Sequence, residues 1–174
     1  MAVFKIDPLH SDIAFKVKHM MISTVNGCFQ KFDATMTSEK EDFSDAEITF
    51  ECDVDSISTN IGDRDAHLKS DDFFSAHLYP KITFKSTSVV KTGDSWQVNG
   101  DLTIRDVTKN VMLIGSYNGN DVDLYGNTKH GFELDGKINR SDFGLTFNAF
   151  SGKGNAMVSE EIKLLISIQM LETK

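Results

Sequence analysis

The sequence predicts an all-β protein: an extended antiparallel barrel of about eight strands with a short helical segment near residues 60–76. Three observations carry that prediction. Apolar and polar residues alternate with period two in segment after segment. Turn signals fall between those segments. One stretch, Asn60 to Ala76, breaks the alternation and crowds charges with paired phenylalanines.

Taken in chain order, Ile13, Phe15 and Val17 alternate with Asp12, Lys16 and Lys18. Ala46, Ile48, Phe50, Cys52 and Val54 then alternate with Glu47, Thr49, Glu51 and Asp53, the pattern of a half-buried antiparallel strand. The interruption follows. Thr59-Asn60 are N-cap residue types, and Asp63 stands three after Asn60 in a capping-box arrangement. Ser70 is placed to cap a second short turn, Asp71-Asp72-Phe73-Phe74, with its acids at the positive end. Pro80 ends the segment and pushes Tyr79 into an extended conformation. Two short helices crossing one end of a barrel are expected.

Beyond it, Trp96, Val98, Leu102 and Ile104 alternate with Gln97, Asn99, Asp101 and Thr103. The segment Lys109 to Tyr117 is apolar on both faces, at Val111 and Leu113 and at Met112 and Ile114, so its outer face needs a cover: the helical segment or a second subunit. Phe132, Leu134 and Ile138 alternate with Glu133, Asp135 and Lys137. Ile162, Leu164, Ile166, Ile168 and Met170 alternate with Glu161, Lys163, Ser167 and Gln169. Turns are expected at Thr92–Asp94, Asn118–Asn120 and Ser151–Asn155. Many short amphipathic strands suggest a sandwich or a barrel. Closure removes the sheet edges, and eight strands enclose side chains or one small ligand.

The 174 residues suit a single domain, 1–174, with a substantial core. No run of about 18 apolar residues predicts a membrane span. The N-terminal stretch lacks a basic region followed by an apolar one, so no signal peptide is read. A cytoplasmic location is expected if Met1 is the natural start, and a periplasmic one if it is not. A net charge of −8 argues against nucleic acid and anionic membrane surfaces as partners. Cys28 and Cys52 are not spaced as a metal motif, and Cys52 reads as a small buried thiol. Thirteen phenylalanines against three tyrosines and one tryptophan describe an interior suited to hydrocarbon, either the protein's own core or a guest.

Four long stretches carry a family resemblance: IDPLHSDIAFKVKHMMISTVNGCF (6–29), RDAHLKSDDFFSAHLYPKITFKST (64–87), GDLTIRDVTKNVML (100–113) and GFELDGKINRSDFGL (131–145). In these the chain resembles the YceI-like family, the polyisoprenoid-binding, lipocalin-like barrels of bacteria. The resemblance covers nearly the whole length. It implies a lipocalin-like barrel with an apolar lumen holding one long isoprenoid or fatty chain, often as a homodimer. It also implies a lipid carrier or store rather than an enzyme. The expected ligand is a polyisoprenoid or fatty-acyl lipid, with no cofactor, no metal and no catalytic residue.

Candidate ligand-binding residues follow. Phe15, Val17, Phe32, Phe50, Phe84 and Phe132 sit on strand faces expected to point inward, with Phe73 and Phe74 capping one end. Composition alone also allows these rings to fill an ordinary core. A hydrocarbon guest would gain about 0.8 kcal/mol per buried CH₂, so the site needs only a dry tube. His19 is expected at a strand end, within reach of backbone or a ligand head group. The five histidines show no i,i+4 pair that would suggest zinc. Arg64, Asp65 and His67 admit two readings. As an enzyme site, Arg would hold a phosphate, His transfer protons and Asp orient the His. As a brace, the three would fix the helical flap to the barrel rim. Arg140 likewise either greets a polar lipid head or pins a loop.

Overall fold

A computed structural model describes residues 1–149, 152–153 and 156–173. Eleven strands form one antiparallel sheet: β1 (Ala2–Ile6), β2 (Asp12–His19), β3 (Ser23–Phe29), β4 (Phe32–Ser38), β5 (Glu47–Asp53), β6 (Ile57–Ser58), β7 (Lys81–Thr92), β8 (Ser95–Ile104), β9 (Val107–Val122), β10 (Thr128–Asn139) and β11 (Val158–Thr173). The sheet order is β1-β4-β5-β7-β8-β9-β10-β11, and β1 pairs back onto β11 to close the ring.

Three of the eight barrel strands are composite. Along one edge of β11, residues 158–167 pair with β2 and residues 170–173 pair with β1. The break between β1 and β2 is a 3-10 turn at Pro8–His10, capped by the Asp7 side chain on the Leu9 amide. β3 and β4 continue one another past Gln30-Lys31, pairing with β2 and β1 respectively. β5 and β6 continue one another through a second 3-10 turn, Val54–Ser56. A barrel of about eight strands is therefore what forms, and the alternating segments supply its inward and outward faces.

Several local expectations are corrected. One helix forms between β6 and β7, α1 (Gly62–Lys69), and Asp71–Phe74 adopt turns instead of a second helix. The Ser70 amide is bonded to the His67 carbonyl, so Ser70 closes α1 at its C-terminus and does not begin a new helix. Asn60 takes a left-handed conformation (φ 67°), which moves the N-cap to Ile61. The carboxylate reaching back is then Asp65, on the Thr59 amide at 2.8 Å, and Asp63 forms no capping box. Asn118–Asn120 is not a turn. It lies inside β9, where the register shifts against Gly131/Phe132 so that Asn118 becomes the extra residue of a bulge. The β9–β10 turn comes later, where the Asp123 carboxylate accepts from the Tyr125 and Asn127 amides. Gly93-Asp94 forms the expected hairpin turn, with Gly93 at φ 61°. Of the turn expected at 151–155, Gly152 and Lys153 form a turn, while Ser151, Gly154 and Asn155 lie outside the described residues.

Candidate functional site

The inward faces do not pack solid. They enclose a cavity of about 240 Å³ that runs through both apolar clusters of the interior. On β11 its wall extends from Val158 to Met170, which at ~3.3 Å per residue and ~40° tilt is roughly 30 Å along the barrel. Apart from Ser116 and Arg140, the residues lining it are hydrophobic, glycine or Cys52. Burial pushes the Cys52 thiol up to about 12, so it stays a neutral part of the wall.

Phenylalanines and glycines shape this space together. Phe15 on β2 faces Gly27 on β3, and a methyl at Gly27 would stand 2.7 and 2.8 Å from Cε1 and Cε2 of that ring. Phe84 on β7 covers Gly100 on β8, where a methyl would stand 2.5 Å from its Cε2. Each ring lies flat on a neighbouring strand that offers no side chain. The rings thus thicken the wall and leave the axis open.

Segment 59–80 completes the wall at one end. β6 pairs with β3, and β7 with β5 and β8; among the described residues no pairing joins β6 to β7. Leu68, Phe73 and Phe74 of the connecting segment line the cavity there, and the Phe74 ring meets Phe29 at 6.2 Å. The other end is plugged by Phe43, whose ring contacts Phe4, Tyr117, His130 and Phe132 at 5.2–5.7 Å. Its backbone is left-handed (φ 60°), a strained conformation for a bulky residue that the ring's packing stabilises. Behind the plug lies a polar relay. His130 Nε2 lies 3.1 Å from the Glu172 carboxylate and its Nδ1 2.8 Å from the Tyr117 hydroxyl.

Of the candidates named from sequence, Phe15, Val17, Phe50, Phe73, Phe74, Phe84, Phe132 and Arg140 line the cavity. Phe32, His19, Arg64 and His67 do not. Phe32 packs against both apolar clusters as core. His19 lies at the end of β2, opposite Ser23. Arg64 donates from Nε to the Thr59 hydroxyl at 2.7 Å and from its terminal nitrogen to the Thr59 carbonyl at 2.8 Å. Asp65 accepts from the Thr59 amide and from its hydroxyl at 2.6 Å. His67 turns to Asp72 at 2.8 Å and sets its ring edge-on to Phe73 and Phe147. Asp65 is bonded to Thr59 and the carboxylate beside His67 is Asp72, so Asp65 does not orient that ring.

Arg140 is 1 % exposed, at the end of β10. Its five N–H donors go to the carbonyls of Ser159, Leu145, Phe147 and Val158 and to Glu160, at 2.6–3.4 Å. It ties the 144–149 loop to the start of β11, and that network leaves no donor for a lipid head. The outer face of β9 is also settled in part. The helix covers the barrel end, and Met112 and Ile114 stay 47 % and 43 % exposed.

Sequence reasoning missed Leu68, Leu145 and Trp96 in the wall and the Phe43 plug. Phe43 did leave a signal: one aromatic in the polar run Ser38 to Asp45. Among the described residues, no three His, Cys, Asp or Glu side chains gather as a metal site, and no helix is long and apolar enough to cross a membrane.

A closed eight-stranded barrel around a long apolar cavity is the architecture of a lipocalin-like protein. The chain belongs to the YceI-like domain family, whose sequence profile matches residues 4–170. Protein YceI of Salmonella newport (strain SL254) is 34% identical over 175 residues, covering 99% of this chain and 88% of that one. The YCEI protein of Campylobacter jejuni is 32% identical and superposes with a TM-score of 0.76 over 90% of each chain. A polyisoprenoid binding domain from Saccharophagus degradans, implicated in plant cell wall breakdown, shares the fold at 13% identity, with a TM-score of 0.68 over 98% of each chain.

Proposed function

We propose that the protein binds and sequesters one long apolar lipid in the barrel lumen, a polyisoprenoid of quinone or prenyl-phosphate type or a fatty-acyl chain. Storage, transport or protection of that lipid is its role, with no covalent chemistry. The observation that carries the reading is the cavity itself. Protein interiors are close-packed, and an unfilled void costs about 24 cal/mol per Å³, so about 240 Å³ would cost ~6 kcal/mol if nothing occupied it. That is a large share of the ~5–15 kcal/mol stability of an ordinary domain. A guest chain removes the cost and gains ~0.8 kcal/mol per CH₂ besides.

The structural neighbour described as a polyisoprenoid binding domain supports this class of ligand. The commitment of Arg64, Asp65 and His67 to bracing supports binding over catalysis at the rim. Self-association is proposed through the outer face of β9, where Ile114 pairs across to Asp135 and Asp135 to the exposed Leu165.

Titration with an environment-sensitive apolar fluorophore, followed by displacement with a prenyl alcohol, tests the lumen. Saturable uptake near one per chain, reversed by the alcohol, is expected. Failure of the probe to enter under any loading condition contradicts the reading.

A further inference from the structure

The β2–β3 hairpin breaks two rules at once. Its turn, His19-Met20-Met21-Ile22, closes with the Ile22 amide on the His19 carbonyl at 3.2 Å, and both central residues are left-handed (φ 52° and 61°). Left-handed positions in so tight a turn favour Asn and Gly, because residues with a Cβ are strained at positive φ. Here methionines hold both positions, and the tip is apolar and uncovered, with Met21 63 % and Ile22 79 % exposed. The same hairpin is cavity wall on its inner face. Phe15 and Val17 line the lumen, and so does Val158, the partner of His19 at the base of the turn.

The charges beside the tip are equally out of place. Lys137 on β10 pairs with Lys163 on β11, which pairs with Lys16 on β2, so three lysines stand side by side on the outer face, with Lys18 nearer the tip. Like charges directly opposite each other weaken a sheet. In a protein of net charge −8 this row is a local reversal of sign. Of the nearby acids of β11, Glu160 is engaged with Arg140, and Glu161 pairs with Lys137 of the row itself at 3.8 Å. Among the described residues Lys16, Lys18 and Lys163 form no ion pair.

We propose that the Met20-Met21-Ile22 tip enters an anionic lipid bilayer while the Lys16–Lys18–Lys163 surface rests on its headgroups, setting the cavity end against the membrane for transfer of cargo. The inference rests on the lumen being a lipid site and names where that site meets its source. A short apolar tip suits shallow insertion of ~5–10 Å, and the lysines then stand within about a Debye length of the surface charge. This local surface overrides the repulsion that the net charge alone predicts.

The test is flotation of the full chain with vesicles of phosphatidylcholine and phosphatidylglycerol, compared with vesicles of phosphatidylcholine alone, alongside transfer of a fluorescent prenyl lipid from those vesicles. The variants are M20N/M21G, which installs the favoured turn, and K16E/K163E. Wild type is expected to float with anionic vesicles and to release them as salt rises. M20N/M21G should lose flotation and slow vesicle transfer at least ~10-fold while its Tm rises by ~2–4 °C, so loss of fold is excluded as the cause. K16E/K163E should lose flotation on anionic vesicles. Loading from detergent micelles separates the two claims. Wild type that loads from micelles but neither floats nor depends on the tip for transfer overturns the docking inference and leaves the lumen reading intact. Tip-dependent flotation without loading from any source keeps the docking surface and contradicts the lumen reading.

Discussion

The Phe15 ring lies over Gly27 of the adjacent strand, and a methyl there would stand 2.7 Å from its Cε1. This pairing decides whether the barrel is a tube or a plug. With glycine opposite, the ring lies against the wall. With any larger residue it must swing into the lumen.

Gly27→Ala is therefore expected to displace the Phe15 ring inward and cut apolar-probe uptake at least ~10-fold, while costing about 1–3 kcal/mol through overpacking. Gly27→Ala with Phe15→Leu should recover most uptake. Probe titration beside urea denaturation reads both effects.

Arg140→Ala should be among the most destabilising single changes outside the apolar wall. It strips donors from four backbone carbonyls of the 144–149 loop and β11. A loss of about 3–5 kcal/mol, or roughly 10 °C in Tm, is expected. Arg140→Lys should recover little of it, since an ammonium cannot serve that fork of acceptors. Calorimetry of the two variants checks the ranking.

Thr59→Val should cost about 1–2 kcal/mol, because one buried hydroxyl accepts from Arg64 and donates to Asp65. His67→Ala should leave probe uptake within about twofold of wild type, since its ring braces Phe73 and Phe147 from outside the cavity. A large loss of uptake in His67→Ala with the melting curve unchanged would instead place His67 at the ligand.

Stability should fall in acid through Asp7. Burial alone would raise its carboxyl, but hydrogen bonds from Lys129, His10 and the Leu9 amide outweigh burial and hold it below the ordinary 3.8. A lowered folded value adds stability above the unfolded value, and that stability is lost as pH drops through the folded one. The window is thus below about pH 4. Lys129 is raised by its hydrogen bond to Asp7, so its share persists until strongly alkaline pH. Lys129→Met should lower the urea midpoint at pH 7 and flatten its decline between about pH 4 and 2.

The fold was legible where one face is wet. Period-two alternation marks β5, β8, β10 and β11, since each strand puts charges outside and hydrocarbon inside. The breaks that make three strands composite were not read from the sequence: at Val54–Ser56 the apolar series shifts from Val54 to Ile57 with no Gly or Pro to mark the 3-10 turn. Asn118-Gly119-Asn120 misled for a related reason: residues that favour turns also favour bulges, and only the partner's register separates them. Inward phenylalanines could be read from parity, which placed Phe15, Phe50, Phe84 and Phe132 on the cavity wall. Whether they enclose space or fill it depends on glycines of the next strand, Gly27 beside Phe15 and Gly100 beside Phe84. The roles of Arg64, Asp65 and His67 turned on Thr59, a residue whose burial no local pattern announces.

The most direct test of the lumen as a lipid site is native mass spectrometry of the purified protein, followed by solvent extraction and identification of whatever is released. The account predicts a chain carrying one bound species with a long prenyl or acyl tail, or one added prenyl lipid taken up per chain. A mass equal to the bare chain, with no uptake of added prenyl or acyl lipids, would contradict it and leave the phenylalanines as packing alone.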